Sequence, residues 1–110
     1  NIASTAGQAG ILSGPAYCAA KAGVIGLTKH LARTLAPHNV LVNAISPAMI
    51  DTEILYWRTP EQWKETLASI PLQRLGDPAD LAEMAVLLAS GGGNFITGAT
   101  LDINGGLYMG

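Results

Sequence analysis

The 110-residue sequence predicts an α/β layer, a parallel sheet with helices packed against it. Three observations carry that expectation. Residues 40–45 form a nearly continuous apolar run with β-branched members, the pattern of a strand buried on both faces of a parallel sheet. Ala20, Val24, Leu27, Leu31 and Leu35 recur every three or four residues, which is helical spacing. The elements then alternate as strand, helix, strand, helices, strand, and such an order closes most simply through parallel pairing.

Taken along the chain, Asn1-Ile2-Ala3-Ser4 reads as the tail of a first strand. The small residues through Gly7, Gly10 and Gly14 read as a loop. Ser13 and Pro15 suit a helix start, as cap and first-turn residue. Lys29, His30 and Arg33 place positive charge in the last turns, where it suits the helix dipole, and Pro37 ends the helix. Gly23 and Gly26 lower helix propensity, and the expected compensation is close approach of another backbone, a packed helix. Ser46-Pro47 is expected to stop the strand over 40–45. A long irregular stretch follows, with Tyr56, Trp57 and Trp63 around a short helix starting near Pro60. Asp77-Pro78 opens a further helix, Asp as cap and Pro in the first turn, with an apolar face of Leu81, Ala82, Ala85, Leu88 and Ala89. Gly91-Gly92-Gly93 ends it. Residues 99–103 form the last strand, closed by Asn104-Gly105-Gly106.

Composition narrows the function classes. Hydrophobic residues make up 49% and charged residues 13%, which suits a packed core and excludes a disordered tail. A net charge of −2 offers no electrostatic footprint for nucleic acid or an anionic membrane. No apolar run is long enough to span a bilayer, and no signal-peptide pattern opens the chain. Cys18 is the only cysteine, which excludes an internal disulfide and a cysteine-cluster metal site. It is expected to be a small buried packing residue, and a reducing cytoplasm is the expected compartment. His30 and His38 read as ordinary surface or helix-end histidines far from any ligand set.

The residues that point to chemistry are Tyr17 and Lys21. Four apart on a helix, they share one face, one turn from each other. Ser4 lies thirteen residues before Tyr17 and brings a hydroxyl from a neighbouring segment. A free phenol titrates near 10, and an adjacent ammonium favours its ionised form. Phenol, ammonium and hydroxyl together make a proton-transfer site. Tyr-x-x-x-Lys alone is short, and a core tyrosine beside a solvated lysine gives the same pattern, so it needs context.

That context is a set of ordered segments. They are Asn1-Ile2-Ala3-Ser4 before a glycine-containing stretch, Tyr17/Lys21, Val42-Asn43-Ala44-Ile45-Ser46-Pro47 leading to Thr52, Arg74-Leu75-Gly76-Asp77-Pro78, and Thr97-Gly98 with Asp102-Ile103-Asn104-Gly105-Gly106. Together they resemble the C-terminal part of a short-chain dehydrogenase/reductase of the single-domain type. The look is nearest to 3-oxoacyl-carrier-protein reductases and sugar or polyol dehydrogenases. The resemblance implies a Rossmann-like parallel sheet, of which this chain would hold the last three strands, the first one truncated. Residues 1–110 would be the C-terminal part of one catalytic domain. The glycine-rich turn that seats the cofactor diphosphate is expected outside them, since no G-x-x-x-G-x-G occurs. Gly91-Gly92-Gly93 follows a helix and precedes a strand, the wrong context for a phosphate loop, and stands where relatives often carry acidic residues.

The resemblance also implies the roles. NAD or NADP would exchange hydride with a small-molecule ketone or secondary alcohol. Tyr17 would be the general acid/base, and Lys21 would assist it and hydrogen-bond the nicotinamide ribose. Ser4 would orient the substrate oxygen, with the thirteen-residue spacing favouring it over Thr5. Cofactor contacts are expected from Tyr17, Lys21, Pro47, the backbone of Ile50 and the Thr52 hydroxyl. Where relatives read Pro-Gly, this chain reads Pro47-Ala48, which restricts close backbone approach. The family's catalytic asparagine would lie upstream, and Asn43 is read as a structural hydrogen-bonder. Tyr56, Trp57 and Trp63 fall where relatives carry a mobile substrate lid, and two readings stay open for them: pocket lining or packing. A homotetramer or homodimer is implied. The rival reading is a non-catalytic remnant with a catalytic helix, no dinucleotide platform and an open apolar sheet edge.

Overall fold

The computed structural model describes residues 1–110. Strand β1 (Ala44–Pro47) pairs in parallel with β2 (Thr100–Ile103), in the register Ala44↔Thr100 through Pro47↔Ile103. On the other side of β1, Ile2 makes a parallel bridge to Ile45, and the Ala3 N–H donates to the Ile45 carbonyl at 2.8 Å. The sheet order is therefore residues 1–3, β1, β2, the parallel α/β arrangement the sequence predicts. The first element contributes a single bridge and not a full strand.

β1 begins four residues later than expected. Asn39 takes a left-handed conformation (φ 59°) after the 3-10 turn Ala36–His38, and the chain re-enters the sheet only at Ala44. Residues 40–43 run beside 96–99 through other bonds. Thr97 Oγ1 accepts from the Val42 N–H at 3.1 Å, and Asn43 bonds the Ile96 carbonyl and the Ala99 N–H at 2.8 and 3.0 Å. Asn43 is thus the structural residue expected of it. Val40 and Leu41 are exposed instead of buried. The strand ends at Pro47 as expected, with Ser46 and Pro47 as its last two ladder residues, opposite Asp102 and Ile103.

The stretch read as a loop after Ser4 contains a short helix, α1 (Thr5–Ala9). Ser4 caps it, its Oγ accepting from the Ala6 N–H at 3.2 Å, and Gly10 ends it at φ 68°. α2 (Pro15–Leu35) follows, with Pro15 in its first turn as expected but Gly14, not Ser13, as cap. Ser13 instead offers its carbonyl to the Cys18 thiol at 3.6 Å, and Cys18 is half-buried where a buried residue was expected. Gly23 and Gly26 face open space, so no backbone within this chain approaches them. The close approach falls at Gly7, where α1 lies on the backbone of Lys21 and Ala22.

α3 (Pro60–Ser69) and α4 (Pro78–Ala89) both begin with a proline behind a reciprocal cap, Thr59 with Gln62 and Asp77 with Asp80. Leu81 and Leu88 of α4 are half-buried, while Ala82, Ala85 and Ala89 are exposed, so the expected apolar face is only partly covered. The core is small. Twelve residues are buried, chiefly Ala3, Thr5, Ala6, Thr28, Ala32, Ala44, Ile45 and Ser46, where α1 and α2 meet the sheet, with Ile70 and Thr66 apart from them. The radius of gyration is 15.0 Å, against about 13 Å for a compact domain of this length. No helix is long and apolar enough to cross a membrane.

The start of α4 gives a pH-dependent prediction. The Asp77 N–H donates to Asp80 Oδ2 at 2.9 Å, and Arg74 Nη1 donates to the same oxygen at 3.2 Å. The backbone bond first, and the guanidinium second, hold the Asp80 carboxyl below the ordinary carboxylate range. A carboxyl lowered on folding adds stability that is complete above its unfolded pKa and fades as pH falls through the folded one. Asp80 is open to solvent, so the effect is small. Asp80→Asn is expected to flatten the acid side of the melting curve below about pH 4. Thermal melts across the acid range check this, and an unaltered acid side removes the contribution.

Candidate active site

Three elements converge at the C-terminal end of β1, where open parallel sheets place their ligands. α1 is fixed there by its own side chains. Thr5 Oγ1 donates to the Pro47 carbonyl at 3.1 Å. Gln8 Nε2 donates to Asp102 Oδ1 at 2.7 Å, and Gln8 Oε1 accepts from the buried Ser46 hydroxyl. Ser46 and Asp102 are register partners, so one glutamine spans both strands and holds the helix that begins at Ser4. Sequence reasoning missed Gln8, and no local signal marks it, since its partners lie 38 and 94 residues away.

Ser4 faces this end of the sheet. Its Oγ accepts from Ala6, which leaves the hydroxyl proton for another acceptor. Tyr17 stands in the first turns of α2, 47% exposed. Lys21 lies one turn on, with Nζ 5.7 Å from the centre of the Tyr17 ring, and donates to the Ile2 carbonyl at 3.0 Å. The ammonium therefore rests over the phenol ring and is anchored to the segment that precedes Ser4.

One cleft of about 460 Å³ takes in Ser4, Tyr17, Lys21, Pro47, Ile50 and Thr52, so the fold brings all six predicted site residues together. Its volume suits a small-molecule site. Leu12, Ile54, Leu55 and Trp57 add apolar wall, and Arg58 adds a second cation. Ile50 is steadied by a bridge to Gly76, whose missing side chain leaves room for Ile50 Cδ1. The Thr52 hydroxyl makes only a long 3.4 Å bond to the Ile50 carbonyl, which leaves it capacity toward the cleft. The aromatic residues separate. Trp57 lines the cleft, Tyr56 is 64% exposed, and Trp63 lines a different groove beside Asp51 and Leu67. A slightly larger hollow of about 490 Å³ lies around Gly105 and Gly106, but it contains neither a phenol nor a lysine.

Sheet order, helix placement and cleft position define an α/β protein of the Rossmann type. The chain belongs to the short-chain dehydrogenase/reductase family: residues 1–108 match the family model described as enoyl-(acyl carrier protein) reductase. The 3-oxoacyl-(acyl-carrier-protein) reductase FabG of Vibrio cholerae is 45% identical over 109 residues, which are 99% of this chain and 45% of that protein. A crystal structure of a 3-oxoacyl-(acyl-carrier protein) reductase from Brucella melitensis superposes with a TM-score of 0.95 at 40% identity, covering 100% of this chain and 41% of that one. A second reductase structure from Brucella melitensis, with bound NAD, gives a TM-score of 0.90 at 40% identity, covering 100% and 40%. The chain thus spans less than half the length of the relatives it matches.

Proposed function

We propose that these residues are the proton-transfer side of an enzyme that interconverts a ketone and a secondary alcohol with NAD or NADP. The observation that carries the reading is the single cleft shared by Ser4, Tyr17 and Lys21, with the Lys21 ammonium over the Tyr17 ring. The cofactor's nicotinamide, when bound, supplies or accepts the hydride. Tyr17 gives its phenolic proton to the substrate oxygen in reduction and takes it back in oxidation. Lys21 places positive charge over the phenol ring, where it complements the negative charge that develops as the proton leaves. Ser4 donates its remaining proton to the same substrate oxygen and holds it toward Tyr17.

The donor set fits the nicotinamide end of the cofactor. The Lys21 ammonium suits ribose hydroxyls, and Ile50 backbone groups with the Thr52 hydroxyl suit a carboxamide, with Pro47 shaping the floor. No strand–glycine turn–helix for the diphosphate lies within these residues, because Gly91–Gly93 follows α4 and Gly105-Gly106, after β2, leads into no helix. FabG of Vibrio cholerae, by its name, reduces 3-oxoacyl groups on a carrier protein, and a ketone of that kind is a fitting substrate class. Purified full-length protein is expected to oxidise NADH or NADPH with at least one ketone of a chain-length series. Absence of coenzyme turnover with every ketone and secondary alcohol would overturn the reading.

The small core favours a second prediction. A polypeptide of these 110 residues alone, with twelve buried positions and exposed apolar side chains on α4, is expected to bind no nicotinamide dinucleotide and to self-associate. Sub-micromolar affinity in calorimetry would contradict that. Homo-oligomerisation of the full-length protein, as a dimer or tetramer, would cover the open Gly23/Gly26 side of α2 and the exposed alanines of α4. A cytoplasmic location fits the single half-buried thiol.

A further inference from the structure

The side chains that line the cleft carry two positive charges, Lys21 and Arg58, and no carboxylate. The chain as a whole carries −2, so the cleft is a local reversal of sign. Lys21 has its work: the Ile2 carbonyl and the Tyr17 ring engage it. Arg58 is only half engaged. It follows the 3-10 turn Glu53–Leu55 and precedes α3, where Nη1 donates to the buried Thr66 hydroxyl at 2.6 Å and the guanidinium stacks on Trp57 at 5.6 Å. Nε is shut off from water and has no partner, and Nη2 makes no hydrogen bond.

These two nitrogens form one edge of the guanidinium, because Nη1 lies on the opposite side, toward Cδ. Their parallel N–H bonds are the fork that takes two oxygens of a carboxylate or phosphate at once. A purely structural strap accounts for the Thr66 bond and the Trp57 stack. It gives no reason to hold Nε shut off from water and unpaired, which is costly, beside an Nη2 that is free to bond. Trp57 is the aromatic neighbour of the guanidinium, 70% exposed, and turning it toward solvent breaks no hydrogen bond.

We infer that Arg58 makes this cleft selective for a ketone that carries an oxyanion, a carboxylate or a phosphate, which the Nε/Nη2 edge grips. The inference rests on the reaction proposed above at the same cleft. Trp57 then flanks the guanidinium, and the apolar wall of Leu12, Ile54 and Leu55 receives the carbon chain between the two polar ends.

The test compares a 4-oxo carboxylic acid, its methyl ester and a keto phosphate as substrates of the full-length protein. The expected wild-type result is a higher kcat/KM for one of the anions than for the ester, and which anion wins separates carboxylate from phosphate. In Arg58→Met the ratio of anion to ester is expected to fall by about tenfold to a hundredfold. Arg58→Lys, which keeps charge but not the fork, is expected to restore only part of it. A variant that loses both substrates equally, or a wild type without preference, overturns the inference and leaves the proposed reaction standing. Binding of the saturated acid and its ester, followed by calorimetry, gives the same ratio without turnover. If no ketone is reduced, the reaction fails while that binding ratio still decides the role of Arg58.

Discussion

Tyr17→Phe is expected to lower kcat of the full-length enzyme by about 100- to 10,000-fold, the range for losing a positioned general acid/base. The phenylalanine ring keeps the carbon surface and most of the contact with Lys21, whose ammonium lies 5.7 Å from the ring centre. Only the proton carrier is removed. The side chain is 47% exposed, so stability should stay within about 0.5 kcal/mol of wild type. Activity and folding therefore separate in one variant. KM should move far less than kcat, because the phenol acts mainly in the transition state. Near-wild-type kcat with an unchanged melting temperature would remove Tyr17 from the chemistry. Hydride transfer would then draw its proton from another group, and Ser4 is the one hydroxyl of the pair left to supply it.

The parts of this site that could be read from sequence are those whose chemistry is local. Tyr17 and Lys21 are one helical turn apart, so their meeting follows from the period of α2 alone. Asp77-Pro78 announces α4 because cap and first-turn preferences act within four residues. Ser4 was legible as a hydroxyl, but not as the cap of α1. That helix spans five residues, too few to show a period, and its two alanines and its glycine look like loop. The start of β1 was misplaced because an apolar run does not say which residues enter the ladder. Asn43 and Thr97 divert residues 40–43 by side-chain bonds that only the folded chain brings into range. Gln8, Ser46 and Asp102 form a tertiary clamp from three distant segments. Arg58 lay in an irregular stretch with no period to give its direction.

Gly7→Ala is expected to damage both stability and activity although it adds a single methyl group. A Cβ at Gly7 would stand 2.6 Å from the Ala22 nitrogen and 2.6 Å from the Lys21 carbonyl carbon. Both are backbone atoms inside a 21-residue helix, so no side-chain rotation relieves the overlap. α1 must move away from α2, and it moves against the Thr5–Pro47 and Gln8 anchors. Overpacking of this kind costs about 1–3 kcal/mol. The same displacement carries Ser4 away from Tyr17, since Ser4 caps the helix that shifts. A misplacement of about 1 Å can cost about a hundredfold in rate, so a fall in kcat is expected beyond the loss of stability. Gly10→Ala separates overlap from backbone strain. Gly10 has the left-handed φ of 68° with nothing near its missing Cβ, so its substitution carries strain of about 1–2 kcal/mol without pushing α1 off α2. Melting temperature and kcat measured together for both variants decide the point. If Gly10→Ala lowers kcat as much as Gly7→Ala, the placement of Ser4 depends on the turn and not on the α1–α2 contact. If only Gly7→Ala does so, the absence of one methyl group at that crossing is what lets a serine from one helix reach the tyrosine of the next.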